Sequence, residues 1–124
     1  MAKSVSSAVL DAALNIIKTG VSNRMVVCSS QPTTYAELTT FKLAEAAMVT
    51  GDYTLANGDV SGRKVTVGAK TGLTITANGT ATHVGLGNST GSTLDLVTTC
   101  TSQALNTGGT VDVPSWKYEI NQPT

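Results

Sequence analysis

Apolar positions along the chain keep helical spacing at the start, gather into short runs in the middle, and then alternate one-in-two to the end. From Ser4 to Lys18 they recur at i, i+4 and i+7, with Val9, Ala13 and Ile16 on one flank and Leu10, Leu14 and Ile17 on the other, the mark of an amphipathic helix. Ser6 or Ser7 supplies an N-cap, and Lys18 followed by Gly20 a stop. The stripe is wide enough to cover a sheet or to meet a neighbouring subunit. Arg24–Cys28 is an apolar run between polar turns, as expected of a strand buried in the middle of a sheet. Ala36 to Val49 lacks clean periodicity. A helical turn over Thr34 to Leu38 and an extended segment over Lys42 to Met48 fit it best.

Beyond Asp52 the period is two. Val65, Val67 and Ala69 alternate with Lys64, Thr66 and Gly68, and Leu73 and Ile75 with Thr74 and Thr76. Asn78-Gly79 then predicts a hairpin into a return strand from Thr80 to Leu86, with Thr82, Val84 and Leu86 on one face and Ala81, His83 and Gly85 on the other. Leu94, Leu96 and Thr98 continue the alternation after a turn at Gly87 to Gly91, and Gly108-Gly109 marks another turn. Val111 and Val113 point inward, whereas Trp116, Tyr118 and Ile120 take the opposite parity after Pro114, which predicts a bulge or edge-strand bend. The expected fold is mainly β: six to eight strands in a small β-sandwich of jelly-roll type or a barrel, with one N-terminal α-helix. Residues 1–124 read as one domain, with a helix or arm over 1–20, a β-rich body over 24–120 and a tail over 121–124 that reaches away from it.

Composition strengthens the strand reading and narrows the function classes. The chain of 124 residues holds 21 threonines, 12 glycines and 11 serines, which suits half-exposed pleats and tight turns. Eight basic residues balance eight acidic ones without a basic cluster, which argues against nucleic-acid binding. No segment has the apolar length of a bilayer span, and Met1-Ala2-Lys3-Ser4 does not begin a secretory signal, so no membrane partner is expected and synthesis is placed in the cytoplasm. With 13% charged residues, burying surface against another protein costs little charge desolvation, so a homo-oligomer, dimer or trimer, is expected.

Candidate chemistry is thin. His83 is the only histidine, and no carboxylate lies near it in sequence to orient its ring. Asp52, Asp59, Asp95, Asp112 and Glu119 are scattered singly, which gives no acid/base pair; loop aspartates between Asp52 and Asp59 leave calcium open without an EF-hand pattern. Cys28, Cys100 and His83 match no standard zinc spacing. Gly85 to Gly91 lacks the lysine of a phosphate-binding loop. The sequence therefore argues against an enzyme and calls for no cofactor. Cys28 and Cys100 read either as free thiols or as a disulfide formed after release from the cell. Trp116 and Tyr118 read as core rings or as anchors for a protein or carbohydrate contact.

The blocks Cys28-Ser-Ser-Gln-Pro-Thr-Thr-Tyr35, Ser61-Gly-Arg-Lys-Val-Thr-Val67, Gly79-Thr-Ala-Thr-His-Val84 and Val111-Asp-Val-Pro-Ser-Trp116 resemble a family of small virion structural proteins of tailed phages and prophages. The resemblance implies a structural component of the virion. By analogy of size and composition it points to a capsid cement or decoration protein that bridges major capsid subunits. A tail, neck or fibre-associated component, an assembly factor and a carbohydrate- or receptor-binding module are the alternatives.

Overall fold

The computed structural model describes residues 3–123, a mainly β protein with three antiparallel sheets and an N-terminal helix. Helix α1 runs Ser7–Lys18, three residues later than its apolar pattern begins. Ser6 is the N-cap, its side chain accepting from the Val9 amide. Strand β1 (Arg24–Cys28) is followed by a second helix, α2 (Tyr35–Thr40), capped by Thr34, and by β2 (Lys42–Ala47). Strands β3 (Tyr53–Asn57) and β4 (Arg63–Val67) form a hairpin; β5 (Lys70–Thr74), β6 (Gly79–Asn88), β7 (Thr93–Leu105), β8 (Thr110–Val113) and β9 (Trp116–Ile120) complete the chain.

The strand order is β2-β1-β6-β7 in the largest sheet, β3-β4-β9 in the second and β5-β8 in the third. Strand β1 thus lies inside its sheet, as its unbroken apolar run requires. All three sheets turn side chains into one core: Met25, Val27, Val84 and Leu86 from the first, Tyr53, Val65 and Val67 from the second, Val111 and Val113 from the third. The three sheets share this core, and no closed barrel forms among the described residues.

Three expectations are corrected. Asn78-Gly79 does not turn β5 back onto β6. Strand β5 pairs with β8, while the Ile75 amide donates to Gly109 O and the Thr76 amide to Leu43 O, carrying the chain across to the largest sheet. Asn78 Oδ1 is taken by the Thr107 amide, so its turn chemistry serves a crossover. Second, Ala81 shares the core with Val84 and Leu86, because a register shift between Ala81 and His83 moves it to the other face. Third, Pro114-Ser115 does more than bend a strand; it divides the segment into β8 and β9, which belong to different sheets.

The far face of the largest sheet is covered by α2. Leu38, fully buried, rests with Val26 and Cys28 over Gly85 and Gly87, where a Cβ would stand 2.6 Å and 2.5 Å from its two methyl carbons. A Cβ at either position would push the Leu38 side chain aside, so glycine lets that side chain lie directly on the strand. Arg24 ties the layer down: it pairs with Glu45 at 2.6 Å, donates to Thr39 Oγ1 at 3.3 Å, and lies 5.3 Å from the centre of the Tyr35 ring.

The chain's last described segment lies against the body instead of reaching away. The Gln122 side chain accepts from the Val5 amide and donates to the Val5 carbonyl, both at 2.9 Å, while its own amide donates to Ser61 Oγ. Thr124, the end of the expected tail, lies outside the described residues.

Candidate interaction surfaces

The residues singled out for chemistry are mostly committed to holding loops and strands. Asp52 accepts from the Val49 amide and pairs with Lys70 at 3.1 Å. Asp59 lies between Lys117 and Lys64, whose hydrogen bonds bring its carboxyl down to about 2. Asp95 accepts from Ser22 Oγ, and Asp112 from the Gly72 amide. Glu119 gathers the amides of Asp59, Val60 and Ser61 and so closes the β3–β4 loop. The His83 Nδ1 lies 2.9 Å from the neighbouring Thr82 hydroxyl. Among the described residues no three His, Cys, Asp or Glu side chains converge as a metal-binding set.

Both cysteines are free thiols. Cys28 sits in the cluster under α2, whereas Cys100 packs against the main core, so the two occupy opposite faces of one sheet with β6 between them. Two strand spacings put them about 10 Å apart, beyond the reach of a disulfide. Burial pushes the Cys28 thiol up to about 11 and raises that of Cys100.

The helix has two unlike faces. Leu10, Leu14 and Ile17 are buried in the body. Val9, Ala12, Ala13 and Ile16 face outward, with Val9 60% and Ile16 62% exposed. Both charged residues of α1 are turned to the body, Asp11 pairing with Arg63 at 2.8 Å and Lys18 donating to the Thr50 and Tyr53 carbonyls. The outer face is left without a charge. Exposed Val49 stands next to Thr50 at the C-terminal end of the helix, and exposed Val60 next to Ser61, which Gln122 links to Val5 just before its start.

A second surface lies at one edge of the largest sheet. Strand β7 has β6 on one side and no described strand on the other. Between it and the Pro114 corner run two adjoining pockets of about 190 and 290 Å³, floored by Val84 and Val113 and walled by Cys100 and Thr101. Trp116 lines this cleft and packs against the core, its buried Nε1 without an acceptor among the described residues. Tyr118, two residues on, is 42% exposed. The pair is therefore divided between core and surface and does not form a two-ring platform. Sequence reasoning missed this edge, although the signal was present: Thr93–Leu105 contains no proline, lysine or arginine and one acid.

No helix among the described residues is long and apolar enough to cross a membrane. No protein-family model, curated protein or solved structure matches the chain.

Proposed function

We propose that this chain is a structural virion protein of a tailed bacteriophage, a capsid cement or decoration protein that bridges major capsid subunits. The observation that carries the reading is the outer face of α1. A helix that directs both its charges inward and presents Val9, Ala12, Ala13 and Ile16 outward, with Val49 and Val60 at its ends, has a face that can be buried against protein without stripping water from an ion. The Thr-rich, lightly charged body fits a role repeated many times on a lattice, where modest contacts gain from multiplicity. The resemblance in the four sequence blocks supplies the virion setting.

The test is the stoichiometry of the protein in purified particles of the encoding phage or prophage, joined to rebinding of the purified chain to stripped shells. Cement predicts hundreds of copies per particle and loss of rebinding by Ile16→Lys with unchanged melting of the free chain. A few copies per particle would move the assignment to the tail or neck, and absence from particles would overturn it.

A further inference from the structure

We infer that α1 is an exchangeable element: residues 19–21 extend, the helix leaves its own body, and it takes the same seat on a second copy, which returns its own helix to give a two-fold swapped dimer. The outer face of α1 points outward in either form, so rebinding to shells does not depend on the exchange and the two readings fail separately.

Among the described residues two that are not glycine have a positive φ, Ser92 in the β6–β7 turn and Val21, at 54°, just after α1. The Ser22 amide donates to the Ile17 carbonyl at 2.9 Å, the bond that ends a helix in a Schellman turn, and the left-handed residue of that turn is usually glycine. Here the glycine stands one residue early, at Gly20, where a Cβ would lie 2.5 Å from the Ile16 carbonyl oxygen. The left-handed place falls to a β-branched residue, the kind that tolerates it least.

Fixed contacts on both sides hold Val21 there. Upstream, Leu10, Leu14 and Ile17 are buried, Asp11 pairs with Arg63, and Lys18 donates to the Thr50 and Tyr53 carbonyls. Downstream, Ser22 Oγ donates to Asp95 at 2.7 Å, the Ser22 carbonyl accepts from the Tyr53 hydroxyl, and the Asn23 carbonyl accepts from the Met48 amide at 3.0 Å. Strain that persists only because its surroundings over-determine it is typical of parts that switch, and a short strained hinge invites exchange of an element between copies.

A swap keeps every one of those contacts, since seat and helix are the ones seen in the single chain, supplied by two copies. Only the hinge changes. Extended, Thr19 and Val21 take the backbone that β-branched residues prefer, and release of the strain at Val21 is worth roughly a factor of ten per chain. The Ser22–Ile17 bond and the one from Asn88 Nδ2 to the Gly20 carbonyl are lost, which costs a factor of similar size once water replaces them. The two hinge forms are therefore nearly balanced, and concentration selects between them. Three extended residues span about 10 Å and carry the helix away from its own seat, so a released helix finds its groove on another copy.

The test uses the full chain carrying Arg63→Lys, which sets an amine against Asp11, with equal amounts of unlabelled and isotope-labelled protein refolded together at about 10 to 500 µM. A carbodiimide joins the Asp11 carboxylate to that amine as an amide, taking up the water lost, and mass spectrometry reads whether the linked peptides come from one chain or two. The expected result is a dimer fraction that rises with concentration, in which about half of the links between Asp11 and position 63 join a labelled to an unlabelled chain. Val21→Gly adopts the closed hinge without strain and weakens the dimer about a hundredfold, a factor of about ten for each of the two hinges. A monomer at the highest concentration overturns the inference. So does a dimer whose links all lie within one chain, or a dissociation constant that Val21→Gly leaves within about threefold.

Discussion

Shortening Leu38 to alanine removes the side chain that joins α2 to the largest sheet. Leu38 is fully buried, and its two methyl carbons reach over Gly85 and Gly87 to within 2.6 and 2.5 Å of where a Cβ would stand. Buried Leu→Ala changes cost about 2.7–5 kcal/mol, the size depending on how far the surroundings close in. Here the covering helix has only six residues and can settle, which sets the cost near the lower end, about 3 kcal/mol. At roughly 2.1 cal/mol/K of unfolding entropy per residue over 124 residues, that is a fall in Tm of about 11 °C. Gly85→Ala alone forces the Leu38 tip aside and costs about 1 kcal/mol after the gain from removing a strand glycine. In the Leu38→Ala background the same methyl enters vacated space and stabilises by about 1 kcal/mol. Urea denaturation of the four proteins of this cycle therefore shows a coupling near 2 kcal/mol. Additivity within about 0.5 kcal/mol would refute the claim that Leu38 and Gly85 fit each other.

Tyr53 is buried with its hydroxyl donating to the Ser22 carbonyl, and burial raises its ionisation well above that of an ordinary tyrosine. Tyr53→Phe leaves that carbonyl without its partner and lowers stability by about 1–2 kcal/mol in urea titration; a change under about 0.3 kcal/mol would contradict the bond. Iodoacetamide at pH 8 leaves Cys28 unmodified in the folded chain, because the buried thiol at about 11 is almost wholly protonated; peptide mapping checks this, and rapid Cys28 labelling would refute it. The Arg24 hydrogen bond lowers the Glu45 carboxyl, so the folded state gains stability above the unfolded glutamate value of about 4.3 and loses it as pH falls through the lowered value. Stability of the native chain should drop over that acid range, and Glu45→Gln should flatten the drop; parallel curves would show that the pair carries none of it.

Much of the local structure was legible in the sequence. Helix α1 and its two flanks and β1 as an inner strand follow from spacing and caps, and the short helix and strand around Thr34 to Met48 from propensity in a stretch without clean periodicity, because these features are set by neighbours in the chain. What the sequence hid depends on distant partners. Asn78-Gly79 has the strongest hairpin chemistry in the chain, yet Thr107, 29 residues away, takes the asparagine side chain and the strands on either side pair elsewhere. Gly87 reads as a turn-former and Gly85 as an ordinary strand position until Leu38 is seen above them. Trp116 and Tyr118 share a parity, but only the first packs against the core. The α1 outer face was half legible: Val9, Ala13 and Ile16 were visible as a flank, while the inward commitment of Asp11 and Lys18 required their partners Arg63 and Tyr53.

The clasp between Val5 and Gln122 brings residues 117 positions apart in sequence into direct contact. Fusions attached upstream of Val5 or downstream of Gln122 accordingly depart from a common corner. A short linker across that corner can close the chain into a ring, which permits a circular permutant opened at the turn between β6 and β7, Ser89–Ser92, where Thr90 and Gly91 are exposed.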